Sequence, residues 1–213
     1  MRSAVVAAAL AIAWVPAPAG AEPPGAAECH AALDARGVDW APARRPGIQI
    51  PVEVRGRLGP IAWTSSRGKA LVIDCSLAVS LAEAGRYLAD LGVERAVFSS
   101  AYDVRNVRGT HHRSKHSFGL AIDVHTLEGP TLGSIAVDRD YEQGLGDAVD
   151  CIGQPLTRGG AILKIAQCQL VRSGLFYLVL SPDYDDAHHD HFHLEARPWR
   201  DRAELRAQVP AIH

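Results

Sequence analysis

Residues 188–195 have the sequence HHDHFHLE, in which polar and apolar side chains alternate at the end of the segment. In a β-strand, residues two apart point to the same face. His191 and His193 are therefore predicted to face one side, while Phe192 and Leu194 pack into the core behind them. An exposed histidine-rich tract that binds metal adventitiously is the alternative, but the interleaved apolar residues disfavour it. The segment predicts a strand with a functional site on one face.

A second histidine-containing segment lies upstream, at residues 114–123, with the sequence SKHSFGLAID. It places His116 in a turn and Asp123 in a predicted strand that follows. The small residues Gly119 and Ala121 between them would let the backbone approach a metal ion held by these two side chains. For this segment alone, a serine- and histidine-rich turn that simply leads into a strand remains the alternative.

The two segments together supply the ligands of a catalytic zinc site. Catalytic zinc takes three protein ligands and keeps a further position open. Two imidazoles and one carboxylate would come from His116, Asp123 and His193. With one carboxylate and two neutral imidazoles, the zinc site keeps a net positive charge, so a bound water can lose a proton near neutral pH. His191, on the strand face of His193, is predicted to accept the proton of the water or to donate a hydrogen bond to the oxyanion, and His188 to assist from the preceding turn.

Secondary structure is predicted most clearly for a helix over Ser76–Leu91, where apolar residues recur at helical spacing and Gly92 follows. The order of all predicted elements indicates one α+β domain, with helices packed on a small antiparallel sheet. The remaining predicted elements are a helix over residues 161–171 and strands over residues 96–100, 118–124, 175–180 and 191–196.

The N-terminal residues 1–21 carry one positive charge, an apolar stretch and a small-residue cleavage pattern. We expect a secretory signal cleaved after Ala21. A membrane anchor is the alternative, but the apolar stretch is shorter than the roughly 20 residues that span a bilayer. Residues 22–44, which are rich in proline, glycine and alanine, are predicted to form a flexible arm, and residues 45–213 the domain. The expected location is periplasmic or secreted, with no membrane span after cleavage.

The composition excludes several classes of protein. The chain has 213 residues, 47% of them hydrophobic, with 22 basic and 24 acidic side chains and a net charge of −2. Such a chain can bury a core in one domain. The near-neutral charge shows no general attraction to nucleic acid or to an anionic membrane surface, so neither is an expected partner.

The four cysteines, at positions 29, 75, 151 and 168, are predicted to form disulfides in an oxidising compartment. Structural zinc is the alternative, but no C-x-x-C spacing is present. Three pairings are possible. We favour Cys29–Cys75, which would fasten the arm to the predicted helix, and Cys151–Cys168, which would close a short loop.

The two histidine motifs together resemble those of a known superfamily. S-x-H-x-x-G-x-A-x-D at residues 114–123 and H-x-H at residues 191–193 are similar to the motifs of the zinc D,D-peptidases, which include murein endopeptidases, D-Ala-D-Ala carboxypeptidases and the Hedgehog signalling domain. Residues 180–194 and the segment around Cys29 more closely resemble the bacterial extensin-like C-terminal family. The resemblance extends over about residues 29–196.

This resemblance implies a Hedgehog/D,D-peptidase-like fold and a bound zinc ion. It also implies a role for each histidine motif: the zinc ligands would be His116, Asp123 and His193, His191 would lie at the catalytic water, and His188 would lie near the site.

The resemblance further suggests an arginine that contacts substrate or transition-state oxygen. In the relatives it follows a Ser-Tyr strand end, and Arg105 occupies that place here. Relatives usually have cysteine just before it, whereas this chain has Val104. A solvated Arg105 is the alternative, and Arg108 and Arg113 are close enough to take the role instead.

His125 shares the strand face of Asp123 and could support a ligand, but a histidine with other partners is the simpler interpretation. We therefore leave it out of the predicted site. The expected function is that of an exported zinc metallopeptidase that hydrolyses an amide in peptidoglycan stem peptides or crosslinks, as an endopeptidase or a carboxypeptidase. Two alternatives are an enzyme that cuts the glycan–peptide amide and a non-catalytic zinc-binding module that recognises a cell-wall polymer or a protein partner.

Overall fold

A computed structural model describes residues 22–145 and 151–201 of the chain. The predicted signal peptide, residues 1–21, lies outside the described residues. Within the described ranges, none of the helices combines the length and the apolar character that a membrane crossing requires.

Helices and strands alternate irregularly along the described chain, as in an α+β protein. The helices are α1 (Ala26–Asp34), α2 (Cys75–Asp90), α3 (Val137–Asp140) and α4 (Arg158–Arg172). The strands are β1 (Trp40–Pro42), β2 (Pro51–Val54), β3 (Arg57–Leu58), β4 (Ile61–Ser65), β5 (Leu71–Asp74), β6 (Arg95–Ser100), β7 (Ala121–Gly129), β8 (Gly133–Ala136), β9 (Leu178–Leu180) and β10 (Phe192–Glu195). Short 3-10 turns lie at Lys115–Phe118 and Asp186–His188.

The strands form two sheets rather than the one small antiparallel sheet that the sequence predicted. Among the described residues, β1, β2 and β5 form a three-stranded antiparallel sheet. A second, mixed sheet has seven strands: six in the order β3-β4-β6-β7-β10-β9, and β8, which also pairs with β7. The pair β4–β6 is parallel. Parallel neighbours need a crossover connection, and β5 with α2 supplies it. The prediction missed the strands before residue 66 because they are short and lie among prolines.

Helix α2 lies at the centre of the core. Its N-terminus is capped by Asp74, whose Oδ1 accepts a hydrogen bond from the backbone N–H of Ser76 at 2.9 Å. Most of its side chains are buried, because α1, α4 and strands of both sheets contact it. The sequence prediction of a helix over Ser76–Leu91 is confirmed to within one residue at each end.

The predicted flexible arm at residues 22–44 instead contains α1 and β1, so the expectation of irregular structure is wrong for those elements. Cys29 and Leu33, one helical turn apart, are both fully buried and anchor α1 to α2. Flanking prolines did not prevent the helix because they lie outside it.

Both favoured cysteine pairings are confirmed. Cys29 is bonded to Cys75, the first residue of α2, with the Cα atoms 6.2 Å apart. Cys151 is bonded to Cys168 of α4, with the Cα atoms 5.4 Å apart. Disulfides are typical of oxidising compartments, which fits an extracellular or periplasmic protein.

The strand predicted over residues 118–124 starts later, because Gly119 ends the preceding 3-10 turn in a left-handed conformation with φ 62°. A Cβ at Gly119 would lie 2.8 Å from the backbone nitrogen of Asp74 and 2.7 Å from Ile48 Cδ1. The left-handed turn and its packing against the start of α2 therefore already require glycine at position 119, and the predicted approach of the backbone to a metal ion stays a prediction.

Candidate metal centre

The register of three neighbouring strands places Asp123 at the middle of the site. Asp123 lies on β7, directly across from Ser100 on β6 and from His193 on β10. The apolar neighbours of His193 on β10, Phe192 and Leu194, are buried as the alternation predicted. The polar row across the sheet thus follows from pairing between strands that lie far apart in the sequence.

His116 reaches this row from the 3-10 turn that precedes β7. Ser114 caps the turn by accepting a hydrogen bond from the N–H of His116 at 3.3 Å. The hydroxyl of Ser117 accepts a hydrogen bond from the N–H of Arg105 and donates to the carbonyl of Asp103. These bonds fix the turn against the segment after β6, and the His116 side chain is fully buried.

Three imidazole nitrogens converge on one oxygen, Asp123 Oδ1. His193 Nδ1 is 2.8 Å away, His116 Nε2 is 3.1 Å away and His191 Nε2 is 3.4 Å away. The ligand atoms of His116, Asp123 and His193 all lie within 4.8 Å of one another and all three residues are buried. This group could hold a metal ion.

Charge in this cluster favours an ionised carboxylate. Burial alone would raise the pKa of Asp123, but hydrogen bonds from His116, His191 and His193 together bring it below its ordinary value. Burial would lower the pKa of His193, yet hydrogen bonds to Asp123 and to Glu195 raise it to about 9. In the absence of metal, His193 therefore keeps a second proton that a metal ion would have to displace.

Glu195 binds the ring nitrogen of His193 that points away from Asp123, since Nε2 donates to Glu195 Oε1 at 3.0 Å. A carboxylate in this position keeps the proton on Nε2 and leaves the Nδ1 lone pair for a metal ion. A donor set of two imidazole nitrogens and one carboxylate oxygen, with a further carboxylate behind one imidazole, has the chemistry of a zinc or similar transition-metal site.

His191 is held in a comparable way by its neighbour Asp190. Nδ1 of His191 donates to Asp190 Oδ1 at 2.7 Å, which turns Nε2 toward Asp123. Burial opposes the charge on this ring, but Asp123 and Asp190 together raise the pKa of His191. Asp190 was not among the predicted site residues, although its position directly before a site histidine was an available signal.

Two further groups could each hold a metal ion, one formed by His188, His191 and His193 and the other by His125, Asp190 and His191. His188 donates to Asp185 Oδ1 at 2.6 Å, and its ring centroid is 5.5 Å from that of His193. His125, left out of the predicted site, has its Nε2 2.7 Å from Ser99 Oγ, and its ring centroid is 5.2 Å from that of His191.

A cleft of about 790 Å³ opens beside the cluster, with Asp123 in its lining. Arg105 also lines this cleft, and its Nε lies 3.3 Å from Asp103 Oδ2. Arg108 and Arg113, the alternatives to Arg105, are not in the lining of the cleft. The buried cluster thus has an open side through which a substrate could reach it.

A sequence model of the family described as extensin-like protein C-terminus matches residues 27–204. The chain belongs to this family. In the extensin-like domain, the matched region includes all of α1 except its first residue, Ala26, and every residue of the buried cluster. Comparisons with curated proteins and with solved structures found no match.

The extensin-like domain brings most of the predicted site residues together. The three predicted metal ligands converge, and the rings of His191 and His188 lie 5.2 Å apart beside them. Arg105 shares the cleft with Asp123 but pairs with Asp103 rather than with the cluster.

Proposed function

We propose that this extensin-like domain is an exported zinc metallopeptidase with the fold of the zinc D,D-peptidases, and that it hydrolyses an amide bond in peptidoglycan stem peptides or crosslinks. The observation that carries the proposal is the convergence of His116 Nε2, Asp123 Oδ1 and His193 Nδ1, in a cluster whose Asp123 lines an open cleft. The two disulfides support export, because they form and persist in oxidising compartments.

The ligands proposed for zinc are His116, Asp123 and His193. When bound, zinc supplies a Lewis acid that activates water near neutral pH and polarises a carbonyl. Glu195 supports this role by holding the proton of His193 on Nε2.

His191 is proposed to accept a proton from the attacking water. Its Nδ1 keeps a proton bound to Asp190, so Nε2 is the nitrogen that faces the cluster. A base fixed in one tautomer and one orientation meets the geometric requirement for general-base catalysis. His188, next to both His191 and His193, is placed to assist in the same proton transfer.

Arg105 is proposed to bind a carboxylate or a developing oxyanion of the substrate. Its side chain lines the cleft and is about half exposed, with Asp103 as its present partner. A substrate oxygen could replace Asp103 through a charge-assisted hydrogen bond.

The test is hydrolysis of defined muropeptides, read by mass spectrometry of the products. Zinc-loaded wild type should release peptide fragments, whereas chelator treatment and His116→Ala should each abolish release. His191→Ala should keep its zinc and lose turnover. His111→Ala, which changes an exposed loop histidine, should be as active as wild type and serves as the control.

Each opposing result has a defined meaning. Product release that persists after removal of the metal refutes the zinc mechanism. Zinc binding by wild type without any product would make the chain a zinc-binding module instead. Products that have lost the whole peptide from the glycan would move the cleavage to the glycan–peptide amide.

A further inference from the structure

The cleft beside the metal centre is lined by more positive than negative side chains. Its cations are Arg45, Arg67, Lys69 and Arg105, and its carboxylates are Asp103 and Asp123. This local excess contrasts with the whole chain, whose net charge is −2. A concave surface that gathers one sign of charge attracts ligands of the opposite sign.

The cations differ in their partners. Arg105 pairs with Asp103 and is therefore partly neutralised. For Arg45, Arg67 and Lys69, no carboxylate of the described residues lies within 4.0 Å of the side-chain nitrogens, and all three residues are exposed. These three, here called the cationic triplet, have charge that is available to a ligand.

The backbone under the cationic triplet is firmly held. The hydroxyl of Tyr102 donates to the carbonyl of Pro46 at 2.8 Å, which ties the loop of Arg45 to another wall of the cleft. A Cβ at Gly47 would lie only 2.6 Å from the carbonyl oxygen of Ser117, so this loop also packs against the turn that carries His116. After β4, the N–H of Ser66 donates to the carbonyl of Phe98 at 2.8 Å.

We propose that the cationic triplet is an anion subsite that receives carboxylate groups of the peptide substrate, next to the amide that is cleaved. This inference rests on the proposed peptidase function, which supplies the reason to expect a peptide in the cleft. Arginine binds carboxylate in a bidentate manner, and lysine adds a mobile point charge. Spread over two loops, the triplet suits a ligand with several carboxylates rather than a single anion.

The first test measures binding without turnover. Fluorescein-labelled tetraglutamate is titrated into zinc-loaded protein and into chelator-treated protein, with labelled tetraglutamine as the neutral control. The chelator-treated arm removes any binding of glutamate to the metal ion itself. Anisotropy is read at about 20 mM and at about 500 mM sodium chloride, because salt screens exposed charges.

At low salt, tetraglutamate should bind both forms of the protein, and the double variant Arg67→Gln/Lys69→Gln should weaken its affinity about tenfold. Arg45→Gln should weaken binding in the same direction. Arg44→Gln is the matched control, because it removes an equal charge from the adjacent exposed residue outside the cleft lining. Equal losses in the Arg44 and Arg45 variants, or equal binding of tetraglutamine, would overturn the subsite.

The second test separates this inference from the peptidase proposal. In the muropeptide assay, Arg67→Gln/Lys69→Gln should raise KM and leave kcat nearly unchanged, and amidation of the substrate carboxylates should reproduce this rise in wild type. Unchanged KM in an active enzyme overturns the subsite alone. If the protein hydrolyses no muropeptide but binds tetraglutamate through the triplet, the peptidase proposal is overturned and the triplet is an anion site of another kind. If a glycerol phosphate polymer binds more tightly than tetraglutamate, the ligand of the subsite is phosphate, and the proposal of peptide carboxylates is overturned.

Discussion

Replacing Glu195 with glutamine should weaken zinc binding by roughly 10- to 100-fold at alkaline pH. The carboxylate accepts the Nε2 proton of His193 at 3.0 Å, and its side chain is only 14% exposed. The expected loss corresponds to about 1.4 to 2.7 kcal/mol, which lies near the range of a hydrogen bond to a charged group. Glutamine has the same shape, so the change removes charge and leaves the packing intact.

The pH dependence of this loss follows from the protonation of His193. With a pKa raised to about 9 in the metal-free protein, His193 must release a proton when zinc binds below that pH. Zinc affinity of the wild type should therefore rise about tenfold for each pH unit from about pH 7 to about pH 8.5. Without Glu195 the pKa of His193 falls. A smaller fraction of His193 then carries the second proton near pH 7, so zinc competes with fewer protons in the variant. The ratio of wild-type to variant affinity should be smaller near pH 7.

The assay is competition against a chelator of known zinc affinity at both pH values, with protein-bound zinc as the readout. Glu128→Gln is the control, because Glu128 lies on β7 and pairs with Arg95 at the surface. Zinc binding by the folded Glu195→Gln protein within about twofold of wild type at both pH values would refute this role of Glu195.

Three further outcomes are expected. Asp190→Asn should lower kcat of the proposed peptidase about 10- to 100-fold with zinc content unchanged, because His191 loses the carboxylate that orients it; unchanged kcat would contradict this role. In metal-free protein, the raised pKa of His193 adds stability that is complete below pH 6.5 and is lost as pH rises through about 9, so urea unfolding should show a decrease of up to about 3 kcal/mol. A free energy of unfolding that does not change between these two pH values would contradict the raised pKa of His193. Loss of the Cys29–Cys75 disulfide, which spans 46 residues, should cost about 4 kcal/mol, against about 3 kcal/mol for Cys151–Cys168, as measured by thermal unfolding of the double alanine variants.

The sequence predicted the parts of the fold that a strong periodic pattern marks. Helix α2 and strand β10 were both found this way, because each has a regular apolar face that must be buried. Strands β3 and β4 were missed because β3 has only two residues and Pro60 separates the two strands, so no alternating pattern continues from one to the other. Helix α1 was missed because its stability comes largely from packing and from the Cys29 crosslink, and these are tertiary contacts.

For the candidate site, the sequence predicted which side chains meet but not how they are protonated. The alternation on β10 and the spaced motif that ends on β7 predicted that His193 and Asp123 meet, and these two residues are paired across the strands. Glu195 and Asp190 are each close to a site histidine in the sequence, where a carboxylate can equally well face solvent. Their hydrogen bonds depend on ring orientation, which the register of three strands decides.

The crosslink at the start of α2 has a consequence for when the protein matures. Cys75 follows Asp74, whose backbone N–H donates to the carbonyl of Gly119 at 2.9 Å, three residues after His116. Oxidation of Cys29 and Cys75 therefore anchors the same junction against which the turn of His116 rests. A newly made chain in a reducing cytoplasm would lack this anchor, and its metal ligands would be less firmly assembled until after export. In the proposed peptidase, such an order of events would keep the centre inactive inside the cell that makes it.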